Sequence, residues 1–283
     1  MEATNSTSKI KTISRSFAIW LWPSIVAALL AWPGSLIALV NNQIYDGFTP
    51  SFMSQALAQD IANLSIVSPE LLVLATLALR GSLHAYLVWL GVVLFTVYSY
   101  LIDTSSIPFG PLFLLWVTVL GLCIYSLIGG VATVNHRVVE SYYSSQRVTT
   151  IVGWVLIITV VLIGLLWLST NMPALLVDKT LQSLINVALP INPALDLVFF
   201  LPAIIAIGGL LLKKKPLAYT LAPSFIVFLI LRGMHILLIP IVQAKRGEMS
   251  VWSADVPIGT LTLILIGLLI WLMSTIQPHD LSI

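Results

Sequence analysis

Charge is scarce in this sequence. Of 283 residues, 8% are Asp, Glu, Lys or Arg and 59% are hydrophobic, where soluble domains carry about a quarter charged residues. That inventory cannot cover an aqueous surface. The net charge of +2 comes from scattered basic residues, which excludes a nucleic-acid-binding face. Cysteine is nearly absent: Cys123 stands alone inside an apolar block, so neither an intrachain disulfide nor a Cys-x-x-Cys redox pair can form. His84, His136, His235 and His279 lie far apart with no His-x-x-x-His or Glu-x-x-His spacing, so no metal is expected. There is no Gly-rich phosphate loop, no Gly-x-Ser-x-Gly elbow and no lysine inside an apolar block that could carry retinal. No cofactor is expected.

What the sequence has instead is long apolar runs. Eight are found, at residues 17–40, 57–79, 83–102, 111–134, 150–171, 193–212, 217–242 and 256–276. Each is about the 20 residues a helix needs to cross about 30 Å of hydrocarbon, whereas barrel strands would be shorter and alternating. The expected fold is therefore all-α: a polytopic bundle of eight transmembrane helices over residues 17–276, with short tails at 1–16 and 277–283. The first block exceeds a signal-peptide core in length and has no small-x-small cleavage site, so it reads as a retained span. Short turn-rich connections such as Arg80-Gly81-Ser82 favour antiparallel neighbours.

Basic residues give the expected orientation, because short loops carrying them stay in the cytoplasm. With the N-terminus inside, nine basic residues (Lys9, Lys11, Arg15, Arg80, Arg137, Arg147, Lys213, Lys214, Lys215) share one side, against three (Lys179, Lys245, Arg246) on the other. An even number of spans then places both termini in the cytoplasm and Asp46, Asp103, Asp178, Glu248 and Asp255 outside.

Two hairpins carry the same series of residues. One reads Ala58-Gln59-Asp60, Pro69, Leu79-Arg80, Ala85-Tyr86, Phe95; the other reads Ala194-Leu195-Asp196, Pro202, Leu212-Lys213, Ala218-Tyr219, Phe228. From the basic residue onward the offset is 133 positions. One explanation is a duplicated four-helix unit, a 4+4 repeat with both copies in the same orientation. The other is the common grammar of membrane hairpins, acidic outside and basic inside. Under duplication Asp60 and Asp196 become equivalents near the outer ends of their helices.

Ionisable groups inside spans cost about 2.5–3.5 kcal/mol to insert unless paired or wetted. Glu70 and Arg232 stand near mid-span. In a regular helix Asp60, Asn63, Val67 and Glu70 share one face, and Pro69 is expected to kink that helix. Arg232 and His235, three apart, point the same way. The expectation is a Glu70–Arg232 ion pair with His235 and Asn63 in the same polar cavity. Tyr100, in register with Thr96 and Asp103, is a further lining candidate; Trp20, Trp22, Trp167 and Trp271 are read as interfacial belt residues.

Ala58-Gln59-Asp60, Leu79-Arg80-Gly81-Ser82-Leu83, Leu87-Val88-Trp89-Leu90-Gly91, Tyr98-Ser99-Tyr100 and Pro111-Leu112-Phe113-Leu114, with Lys213-Lys214-Lys215-Pro216-Leu217-Ala218-Tyr219 and Ala222-Pro223, resemble a family of prokaryotic polytopic membrane proteins without an assigned activity. The resemblance implies a prokaryotic inner (cell) membrane and singles out Gln59, Asp60 and the Tyr98-Ser99-Tyr100 segment. The expected function is a transporter or small-molecule-binding membrane protein. Its partners are the lipid bilayer and a small molecule or ion, at a polar intramembrane site of Asp60, Asn63, Glu70, Arg232, His235, Asp196, Gln59 and Tyr100. A scaffold or sensor subunit and a lipid-modifying enzyme are the alternatives.

Overall fold

In hydrocarbon each backbone amide must find its partner within its own segment, so apolar runs of this length fold as helices. The computed structural model describes residues 15–45, 49–106, 109–176, 194–248 and 255–277, and these are helical almost throughout. In chain order the helices are α1 (Arg15–Val40), α2 (Pro50–Ala62), α3 (Ser68–Leu79), α4 (Leu83–Ser106), α5 (Phe113–Thr133), the short α6 (His136–Ser141), α7 (Gln146–Leu176), α8 (Leu201–Leu212), α9 (Pro216–Lys245) and α10 (Asp255–Ser274). A π-helical stretch, Asn63–Val67, joins α2 to α3, and a second, Asp196–Phe200, leads into α8.

Seven of the resulting rods are long and apolar enough to cross a membrane: Ala18–Val40, Pro50–Leu79, Leu83–Ser106, Phe113–Thr133, Gln146–Leu166, Pro216–Lys245 and Asp255–Ser274. The expected sixth span appears as a shorter apolar helix, Asp196–Leu212, at the edge of the described residues. Residues 1–14 and 278–283 of the expected tails, and the loop residues Asp46, Asp178 and Lys179, lie outside the described residues.

The protein is inside out relative to a soluble one. Its outward faces are apolar, with Leu29, Trp32 and Leu36 of α1, Leu162, Leu165 and Leu166 of α7, and Leu263, Ile264 and Ile270 of α10 all exposed. Serines, threonines, Asp60, Asn63, Asp196 and His235 are buried among the helices. A continuous apolar exterior of this extent fits lipid.

Helices α4 and α9 form the centre, packed on each other. Helix α4 also packs on α3 and α5, and α9 on α8 and α10; α1 lies on α3 and α5, while α7 lies on α8. Close approach at the centre depends on Gly91. A Cβ there would lie 2.5 Å from Val227 Cβ and 2.6 Å from the Ser224 carbonyl oxygen. Successive rods alternate in direction. Arg80, Arg137, Arg147 and Lys213 to Lys215 therefore collect at one end, where His84 meets the Met273 carbonyl and Ser144 meets that of Thr275. At the other end Ser54 donates to Glu248 and Tyr45 to Asp60.

The two hairpins match in backbone detail at the 133-residue offset. The π stretches begin at Asn63 and Asp196, and each is closed by an amide donating five residues back, Ser68 to Asn63 and Leu201 to Asp196. A proline follows at once, Pro69 or Pro202. Both twelve-residue helices then end in the same turn. Gly81 and Lys214 have positive φ, at 95° and 54°, and three amide-to-carbonyl bonds recur: Arg80 to Thr76 and Lys213 to Gly209, Gly81 to Ala78 and Lys214 to Leu211, Ser82 to Leu77 and Lys215 to Leu210. This register pairs Asp196 with Asn63, three residues from the expected partner Asp60.

Two tryptophans of α1 are engaged by neighbouring segments. Trp20 is half-buried, and Gly129 leaves room for its ring, since a Cβ there would come 2.0 Å from the indole. Trp32 donates its indole N–H to the Leu64 carbonyl at 3.0 Å. In the π register that carbonyl would have bonded the amide of residue 69, which is proline and has none.

Candidate functional site

The polar groups gather in the half of the bundle away from the basic turns. A narrow cleft opens between α2, α4 and α9. Helix α2 contributes Phe52, Gln55 and Gln59, α4 contributes Tyr98, Ser99 and Asp103, and α9 contributes Arg232 and His235. Spacing explains the walls: Ser99 and Asp103 are one turn apart on α4, and Arg232 and His235 one turn apart on α9.

Arg232 is held by neutral partners. Its guanidinium carbon lies 5.0 Å from the centroid of the Tyr98 ring, a cation–π contact. Its Nη1 donates to His235 Nδ1 at 3.0 Å. Arginine can only donate, so Nδ1 is the acceptor and the ring proton sits on Nε2, which reaches the Gln55 carbonyl at 3.3 Å. His235 is thus the neutral Nε2–H tautomer, bridging α9 to α2. Tyr98 is further fixed by edge contacts with Phe200 and Phe228, at 4.8 and 5.4 Å between centroids. Its hydroxyl is sealed from solvent, with Arg232 and Asp196 the charged groups beside it.

A second nest adjoins the cleft. Asp60 is buried and accepts a hydrogen bond from the Tyr45 hydroxyl, and Ser35 of α1 also bonds to it. Burial, and then the Asp60 carboxyl, push the Tyr45 phenol well above its ordinary range. Asp103 is close enough to Asp60 and Tyr100 for their charges to interact. Gln59 donates to Asn63 Oδ1 at 3.0 Å along α2, which ties Asn63 to the cleft wall. At the rim Glu248 accepts from Ser54 Oγ at 2.7 Å and from Arg246 Nε at 2.7 Å. The Arg246 hydrogen bond holds the Glu248 carboxylate below its ordinary value.

Of the expected site residues, the structure brings together Gln59, Arg232 and His235 on the cleft, with Asp60, Asn63 and Tyr100 directly behind it. Asp196 is buried beside Tyr98. Glu70 stands apart, and among the described residues it makes no ion pair with Arg232. Two features separate them. The π stretch at Asn63–Val67 inserts an extra residue into the turn, rotating Glu70 off the Asp60 face. Of the two halves of the broken helix, α2 is the one packed against α9, whereas α3, which carries Glu70, packs against α1 and α4.

Four polar lining residues were not among the expected site: Gln55, Tyr98, Ser99 and Asp103. Asp103 read as a loop residue outside the membrane, but α4 continues to Ser106. Tyr98 lines the cleft, while Tyr100, two residues on, is buried behind it. Metal-ligating groups do not cluster in threes among the described residues.

In comparisons with family models, curated proteins and solved structures, nothing matches the chain. The apolar helices make it an integral membrane protein of the multi-pass, all-helical kind.

Proposed function

We propose that this protein binds a small polar molecule in the cleft between α2, α4 and α9, and moves it across the membrane. The single observation that carries the reading is Arg232. A guanidinium half-buried in the bundle, lining the cleft and held among the described residues by an aromatic face and a neutral imidazole, is placed to receive an incoming anionic group. A purely structural arginine at that depth would have been neutralised by a carboxylate.

The architecture supports transport over static binding. The hairpins share a 133-residue register in π stretch, proline and closing turn. Equivalent positions meet at the centre: Phe95 and Phe228, 133 residues apart, have ring centroids 6.4 Å apart, and Gly91 abuts its equivalent Ser224. Contact between equivalents is what a two-fold axis along the membrane normal produces. We therefore read the chain as two parallel four-helix units, α1–α5 and α7–α10, with eight spans and both termini cytoplasmic. In such transporters the site lies at the interface between repeats and broken helices line it, and π stretches accompany functional sites. The proposal includes membership of the prokaryotic family whose motifs the sequence resembles, and a place in the cell membrane.

The test is water access followed by ligand response. In a Cys123→Ala background, Gln55→Cys and Ile102→Cys, both part-exposed on the cleft, should react with a membrane-impermeant maleimide, while Ala75→Cys, buried on α3, should not. Small polar compounds screened for thermal stabilisation of the protein in nanodiscs should yield hits that Arg232→Gln abolishes. Uptake of such a hit into vesicles then separates transport from sensing. Equal reaction at all three cysteines, or hits indifferent to Arg232→Gln, would refute the reading.

A further inference from the structure

We infer that the ligand of this cleft is a small zwitterion, with its anionic end on Arg232 and its cationic end on Asp103. The inference rests on the ligand-binding reading above and adds the chemical class.

The cleft carries both signs of charge on facing helices, Arg232 on α9 and Asp103 on α4. Among the described residues neither is in an ion pair. Arg232 is held by the Tyr98 ring and by His235, and no cation pairs with Asp103. Their positions keep them from neutralising each other. Arg232 stands over Tyr98, and Asp103 is five residues further along α4, an axial rise of about 7.5 Å. A molecule carrying a charge at each end can bridge that gap.

Asp60 sharpens the assignment of the cationic subsite. Its carboxyl is already engaged by Tyr45 and Ser35, so Asp103 is the carboxyl left open to the cleft. The two acids also oppose each other, a repulsion that a cation at Asp103 relieves. At the other end the Tyr98 hydroxyl, buried and lining the cleft beside Arg232, is placed to donate to a bound anion next to the guanidinium. A simple anion engages Arg232 alone, and a simple cation engages Asp103 alone. Only a ligand with both charges satisfies the site.

Full-length protein in nanodiscs, titrated with four probes of matched size, tests this: 4-aminobutanoate, butanoate, butylamine and butanamide. The expected result is that 4-aminobutanoate binds at least about tenfold more tightly than the other three, one charge-assisted contact being enough for such a factor. Asp103→Asn should bring the zwitterion down to the affinity of butanoate while leaving butanoate itself unchanged or improved. Arg232→Gln should lose both. Butanoate matching 4-aminobutanoate on the wild-type protein would overturn the zwitterion and leave the ligand cleft standing. Binding of butanamide or butylamine alone would do the same. If no probe binds and the impermeant maleimide also fails to reach Gln55→Cys, the cleft reading falls together with the inference. If no probe binds but the maleimide does react, only the inference falls.

Discussion

Replacing Gly91 by alanine adds one methyl group at the seam between the two central helices, and the structure gives the scale of its effect. The new Cβ would meet Val227 Cβ at 2.5 Å and the Ser224 carbonyl oxygen at 2.6 Å, where ordinary contact begins at 3.4 Å. Relief requires α4 and α9 to move apart by nearly 1 Å, because the Ser224 contact is with backbone and no rotamer change removes it. Overpacking of this kind costs about 1–3 kcal/mol, and an unyielding backbone puts this site at the upper end. Alanine's better helix propensity returns about 0.5–1 kcal/mol, leaving a net loss of about 2 kcal/mol. Gly121→Ala is the internal control: nothing lies within 4 Å of its Cβ, so it should be neutral or slightly stabilising. Thermal unfolding in nanodiscs followed by tryptophan fluorescence, which nine tryptophans make sensitive, compares the two. Because Tyr98 lies two turns along the same face of α4, Gly91→Ala should also weaken ligand binding in the cleft. Equal midpoints for the two variants would refute the reasoning. So would full rescue of Gly91→Ala by Val227→Ala, which leaves the Ser224 carbonyl in place.

Other expectations follow from single contacts. Trp32→Phe removes the donor to the Leu64 carbonyl and should cost about 0.6–1.7 kcal/mol, the range for hydrogen bonds between membrane helices; Trp22→Phe, on the exposed face of α1, should leave the unfolding midpoint unchanged. Tyr45→Phe strips a donor from the buried Asp60 carboxyl and should destabilise by about 1–3 kcal/mol, with Asp60→Asn milder because it keeps an acceptor for Tyr45. Burial lowers the His136 pKa below its ordinary 6.5, so the folded state binds its proton less readily than the unfolded chain. Stability from this residue is then complete above pH 6.5 and is lost as pH falls from there through the lower folded value, and His136→Gln should flatten the profile of unfolding midpoint against pH in that window. Glu248, held below its ordinary value by Arg246, loses its contribution in more acidic solution, as pH falls from the ordinary carboxylate range through its folded value. Wild type and Glu248→Gln should therefore converge in midpoint at acid pH.

Most of the fold was legible in the sequence because hydrophobic length is a local property. Twenty apolar residues must be a helix in lipid, and the spans at 83–102 and 217–242 were placed within a few residues of α4 and α9 on that ground alone. The ends were less legible. Helix α2 begins at Pro50, seven residues before the expected start, because Thr49 caps it, accepting from the Phe52 amide, and a cap overrides the polarity of Ser51 and Gln55. Asp103 was misplaced for the same reason, since one carboxylate does not end a helix whose interior face is polar.

The site was half legible. Arg232 and His235 belong to one helix, so their common direction follows from helical periodicity and the structure keeps it. Glu70 was paired with Arg232 on an assumption of unbroken α geometry through Pro69, and the π stretch ahead of that proline breaks it. No composition or spacing signal announces a π turn except the proline itself. Its recurrence before Pro202 is what moves Asp196 from a partner of Asp60 to a partner of Asn63.

The sequence by itself determined that the chain lives in lipid, where its helices lie, how basic residues divide between the two ends and which polar groups had to be accounted for, because each of these depends on neighbours within a turn or a span. Tertiary structure alone decided which of those groups meet. Arg232 faces Tyr98 and not Glu70, Tyr45 caps Asp60, and Asp103 opens into the cleft, because contacts between helices are set by crossing geometry: the glycine at 91, the extra residue in each π turn and the packing of α9 on α2.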